Sequence, residues 1–160
     1  MVSMDPAIIA LIVFVPVFVA FWYFATVFIA VVSGWRELAR VYPSERPIIG
    51  AAEWRNRRGR MRYGSGYNGC LNIAANAMGM QLGVWSIFRP GHPPLFIPWS
   101  EIRTEPVHGM FGESIRFSFL RANTTLLLGR DLAEEVLRSV PGVRSPAWHT
   151  SPPRSSSSTR

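Results

Sequence analysis

Few residues in this chain have both the type and the spacing that chemistry demands. Gly64, Gly66 and Gly69 spell G-x-G-x-x-G, a pattern that seats a pyrophosphate when a helix N-terminus follows it. Here a β-patterned stretch follows instead, so no helix dipole is available and the match is accidental. Gly64-Ser65-Gly66 lacks the Gly-x-Ser-x-Gly frame of a nucleophile elbow. His92, His108 and His149 are scattered, with no second His or Cys at metal-ligand spacing. His92 falls in Arg89-Pro90-Gly91-His92-Pro93-Pro94, where a turn role outranks a catalytic one. Glu101, Glu105 and Glu113 read as an exposed polar face, and Cys70 as a small core residue. The expectation is a protein that is not an enzyme and takes neither cofactor nor metal.

Charge is more informative. The 160 residues hold 17 Arg and no Lys against 10 carboxylates, a net charge of +7. Eight Arg and three Glu fall between residues 34 and 63. Arg58, Arg60 and Arg62 alternate, which would set them on one face of a strand with Met61 and Tyr63 on the other. Such a face is either a phosphate-facing patch or a solvated strand surface. The aromatic residues lie in an apolar N-terminal run or at inward strand positions rather than among the Arg, so nucleic acid is not an expected partner. An all-Arg basic set with abundant Ala, Gly and Pro is what a GC-rich bacterial genome encodes.

These side chains hang from a chain that begins in oil. Residues 7–33 carry no charge; as a helix they would extend roughly 40 Å, enough to cross a hydrocarbon core of about 30 Å with some tilt. Pro16 is expected to kink this helix without breaking it, and Trp22 and Tyr23 fall near mid-span. The rival is a cleaved signal peptide, with Val31-Val32-Ser33-Gly34 as the small-residue site. Against it, the first six residues hold Asp5 and no basic residue, and the apolar run exceeds a typical h-region. Arg36, Arg40 and Arg46 follow the span closely, so the positive-inside rule puts the N-terminus outside and residues 34–160 in the cytoplasm, at a bacterial inner membrane.

Beyond the span, residues 34–57 read as a juxtamembrane amphipathic helix (34–41) and a linker. Trp35 suits the headgroup layer, or packs on the domain beyond. From there the pattern is β: 60–66, 70–75, 80–88, 95–99, 102–107, 114–120 and 124–128. Leu71, Ile73 and Ala75, then Met80, Leu82 and Val84, then Ile115, Phe117 and Phe119 point inward. One helix closes the domain, with Asp131 and Glu134 at capping-box spacing and Leu132, Val136, Leu137 and Val140 as its apolar stripe. Residues 141–160, rich in Ser, Pro and Arg, have nothing to bury and are expected to be disordered. Cys70 is the only cysteine, so no intrachain disulfide forms.

Seven short strands and one C-terminal helix resemble the pleckstrin-homology superfold. Met78-Gly79-Met80-Gln81-Leu82-Gly83-Val84 followed by Leu95-Phe96-Ile97-Pro98-Trp99-Ser100-Glu101-Ile102 is similar to its GRAM branch. The chain also resembles uncharacterised bacterial proteins sharing Gly-His-Pro-Pro-Leu-Phe-Ile-Pro-Trp-Ser after a membrane segment. The resemblance covers about residues 58–140 and implies a mainly β, partly open seven-stranded barrel closed by the helix. Lipid-binding members carry basic residues on both sides of the first hairpin loop; here only the upstream side does. The expected function is a membrane-anchored adaptor that binds anionic lipid or a partner protein. Trp35, Arg58, Arg60 and Arg62 are the candidate lipid contacts, and His92, Pro93 and Phe111 the candidate protein contacts. The alternative is a small accessory subunit of a larger membrane complex, recognised through Pro16, Trp22 and Tyr23.

Overall fold

The structure, a computed structural model, describes residues 5–109 and 112–140. Its first element is a continuous helix, α1 (Pro6–Val32). Asp5 caps it by accepting a hydrogen bond from the Ala7 amide at 2.9 Å, and Pro6 occupies the first turn, where its missing N–H costs nothing. Pro16 lies inside the helix without ending it. The side chains from Ile8 to Phe21 are exposed, so α1 is long and apolar enough to cross a membrane and leaves its oily surface uncovered by protein.

Gly34 then turns the chain into α2 (Trp35–Val41). Its φ is +81°, and a Cβ there would stand 2.5 Å from the Thr124 hydroxyl oxygen, so only glycine fits. Seven antiparallel strands follow: β1 (Ala52–Arg60), β2 (Gly66–Ala75), β3 (Gly79–Val84), β4 (Leu95–Pro98), β5 (Ile102–Gly109), β6 (Gly112–Phe119) and β7 (Thr125–Gly129). They form one curled sheet in the order β4-β3-β2-β1-β7-β6-β5, a half-barrel. The first strand is the corner: it pairs with β2 along its length and meets β7 at Arg60↔Leu127. Register shifts between Trp54 and Gly59 let it bend, and Asn56 takes a φ of +58° there.

The edge of β4 is covered by the α2–β1 connection. Tyr42 and Ser44 exchange backbone bonds with Phe96 and Pro94, and Pro43 bridges to Leu95. The other edge, β5, carries Pro106, which an edge strand tolerates. Helix α3 (Arg130–Arg138) packs on β6 and β7 through Ala133, Val136 and Leu137. Every inward position expected on β2, β3 and β6 is buried. The core also takes in Trp35 and Leu38 of α2, both fully buried.

Several boundaries differ from the sequence expectation. The sheet starts at Ala52, not near 60, so the division at 57/58 cuts through β1, and the 34–57 segment belongs to the folded unit rather than to a linker. The first hairpin turns through a 3-10 helix at Arg62–Gly64, one loop earlier than the glycine-rich 65–69 turn. The final helix is capped by Gly129; Asp131 sits in its first turn and Glu134 pairs with Arg130, so no capping box forms. The tail at 141–160 lies outside the described residues.

Candidate functional site

The sheet turns one end toward the foot of α1. Trp22, Thr26, Ala30 and Ser33, spaced four, four and three residues apart, form one face of that helix. The loop between β3 and β4, which includes a 3-10 turn at Ser86–Phe88, runs along this face. Gly91 comes so close that a Cβ on it would stand 3.1 Å from Val27 Cα and from Ala30 Cβ. Further up the helix, the Trp22 ring lies 5.3 Å from Phe88 and its Nε1 donates to the Ile87 carbonyl at 3.4 Å. Phe14, Phe18 and Trp22 stack at ring spacings of 5.8 and 6.5 Å, so an aromatic ladder descends α1 and ends on the domain. Buried Thr26 satisfies its hydroxyl on the Trp22 and Tyr23 carbonyls at 3.0 and 2.9 Å.

Where α1 ends, a polar chain is enclosed in aromatic rings. The Tyr67 hydroxyl bonds Ser33 Oγ at 2.8 Å and meets His92 Nε2 at 3.0 Å. The other ring nitrogen, Nδ1, faces the Pro90 carbonyl at 3.3 Å. The phenol's single proton goes to Ser33 Oγ, whose own hydroxyl donates to the Ala30 carbonyl at 3.4 Å. Trp35 packs against both rings, 5.5 Å from Tyr67 and 5.2 Å edge-on from His92, and its Nε1 donates to the Pro93 carbonyl at 2.8 Å. Burial shapes the ionisation of both groups. It holds the His92 imidazole below its ordinary range, against the opposing pull of the Pro90 and Phe88 carbonyls. It pushes the Tyr67 phenol up to about 12, with the Ser33 bond acting the other way.

The expected lipid contacts are therefore divided. Arg58 and Arg60 are exposed near the C-terminal end of β1 and line an open groove with Asn68 and Ser114. Arg62 is not on that strand: it sits in the hairpin turn and bonds Glu37 of α2 at 3.0 Å, while Glu37 also accepts from the Asn123 amide at 3.1 Å. Its guanidinium ties the α2 face to two loops rather than extending a basic ridge. Trp35, fully buried, packs on the domain and does not reach headgroups. Of the expected protein contacts, His92 is 3 % exposed and enclosed, so it offers no docking surface. Pro93 is exposed, and Phe111 lies outside the described residues.

The acidic residues do not converge on one another. Glu101 accepts from the Tyr42 hydroxyl at 2.6 Å, Glu105 faces Arg116, and Glu113 pairs with Arg130. Among the described residues no group of three His, Cys, Asp or Glu is placed to hold a metal ion. Burial raises the Cys70 thiol above its usual range, away from nucleophilic character.

Tyr67, Ser33 and Phe88 were not singled out by sequence. Tyr67 lies in a glycine-rich stretch that reads as a turn, and Ser33 in one that reads as a cleavage site. Trp22 did give a signal, a large ring at mid-span. Searches against family models, curated proteins and solved structures return no match.

Proposed function

We propose that this chain is a single-pass membrane protein whose β domain acts as a non-catalytic adaptor at the bilayer surface, gripping anionic lipid through its basic face. The observation that carries this is the docking of the domain onto the foot of α1. Ala30 and Ser33 are fully buried against the domain, Ala30 beside Gly91 of the β3–β4 loop, and Ser33 bonds into the core through Tyr67. A leader cut after Ser33 would strip those contacts away, which favours a retained span over a signal peptide. With the Arg-rich side facing the cytoplasm, exposed Arg36 and Arg40 of α2 and Arg58 and Arg60 of β1 are the side chains offered to phosphates. Each contributes about 1 kcal/mol near an anionic surface. The bilayer is that of a bacterial inner membrane on the compositional grounds given above.

The accessory-subunit alternative loses one of its three recognition residues, because Trp22 already packs on Phe88. Arginine footprinting of the full chain separates lipid from protein binding. In phosphatidylcholine vesicles containing phosphatidylglycerol, modification of Arg58 and Arg60 should slow relative to pure phosphatidylcholine and recover at high salt. Exposed Arg103 should not change. Equal rates in both vesicles would remove lipid as the partner and leave a protein.

A further inference from the structure

The 3-10 turn after β3 has a property that its role in packing against α1 does not require. Trp85, Ser86, Ile87 and Phe88 carry no charge, and Trp85 and Ile87 remain 47 % and 58 % exposed. The turn meets α1 at Trp22, not at the helix end. From Pro6 to Trp22 the helix advances about 24 Å, and it reaches about 30 Å only at Thr26. A hydrocarbon core is about 30 Å thick, so an α1 that enters at the Asp5 cap leaves the core near Thr26. Thr26 is the first buried residue of α1, on the face that meets the domain, while Phe28, Ile29, Val31 and Val32 stay exposed on the rest of the helix surface. The Trp22 level, and the turn bonded to it, then lie inside the lipid boundary.

We propose that the turn Trp85–Phe88 inserts into the acyl-chain and headgroup boundary of the bilayer that α1 crosses, giving the domain a second lipid contact that sets its tilt. This rests on α1 being a retained span. The composition suits the place. Trp85 is an amphipathic ring whose Nε1 is already satisfied by the Asn56 side chain, and such rings favour the interface. Arg89, exposed and next in sequence, is placed to reach phosphates above it. Two other exposed apolar side chains, Ile49 and Met78, lack this position. Both stand at the far end of the sheet, where β2 has run about 26 Å from Tyr67.

The full chain carrying Cys70→Ala receives one added cysteine at a time, Phe14→Cys, Ile87→Cys or Met78→Cys, labelled with the environment-sensitive fluorophore NBD. Each is reconstituted in phosphatidylcholine–phosphatidylglycerol vesicles with and without brominated acyl chains. Quenching at position 87 should approach that at position 14 and exceed that at position 78 several-fold. Strong quenching at 14 with none at 87 would overturn the insertion while leaving the span intact. No quenching at either would overturn the span and the insertion with it. Equal quenching at 87 and 78 would also overturn the proposal, because apolar exposure rather than position beside α1 would then decide.

Discussion

Replacing Tyr67 with Phe removes one oxygen atom and should give a stability difference that changes with pH. The ring itself is retained, so packing against Trp35 and His92 is conserved. What is lost is the hydroxyl that bonds Ser33 at 2.8 Å and His92 Nε2 at 3.0 Å. Leaving a buried acceptor without its partner costs about 1–3 kcal/mol, so Tyr67→Phe should be less stable by that amount near neutral pH. In the wild type the folded-state phenol is pushed up to about 12 from an ordinary 10. A group whose folded pKa is raised contributes stability that is present below the unfolded pKa and is lost as pH climbs through the folded one. The wild type should therefore lose about 1.4 kcal/mol by about pH 11 and approach about 2.7 kcal/mol at higher pH. The Phe variant has no such proton to lose. Denaturant unfolding in mild detergent, followed by tryptophan fluorescence, should show the two stability curves converging between about pH 10 and 12. A pH-independent difference, or no difference at neutral pH, would refute the buried hydroxyl link between anchor and domain.

Other outcomes follow from the same geometry. The folded His92 is held below its ordinary pKa by burial, so its stabilising contribution is complete above about pH 6.5 and is lost as pH falls through the lower folded value; His92→Gln should flatten the acid limb of a thermal-unfolding profile. Trp35→Ala should cost about 3–5 kcal/mol, because the indole is fully buried and bonded to Pro93; a cost below 1 kcal/mol would place it back at the membrane surface. Gly34→Ala should destabilise more than Gly50→Ala, by thermal unfolding. Both have positive φ, which costs an alanine about 1–2 kcal/mol, but only position 34 also meets Thr124 at 2.5 Å. Arg62→Ala should cost no more than about 1 kcal/mol, since the Glu37 pair is only partly shielded from solvent.

Alternation made the sheet readable where one face is buried and the other wet. Ile115, Phe117 and Phe119 face the core opposite Ser114, Arg116 and Ser118, and the strand is where the pattern puts it. The corner strand β1 hid for the opposite reason. Bulged and mostly exposed, it buries only Trp54 and Gly59 over nine residues, so no period of two survives in Ala52–Arg60. Local spacing also misplaced Arg62, because the alternation Arg58-Arg60-Arg62 runs past the end of the strand into a 3-10 turn.

The candidate site was the least legible part. Its groups come from Ser33, Tyr67 and His92, brought together from three separate elements, and no local pattern records that meeting. Trp35 suited two environments equally by sequence; the burial of its whole side chain decides between them. Trp22 and Phe88, 66 positions apart, are joined only because the β3–β4 loop climbs the helix.

Most of this depends on α1 remaining attached to the domain it packs against, and the intact mass of the chain recovered from carbonate-washed membranes tests that directly. A retained span predicts that the chain in the membrane pellet still carries the segment Pro6–Val32. A shorter chain beginning near Gly34, recovered from the soluble fraction, would contradict it.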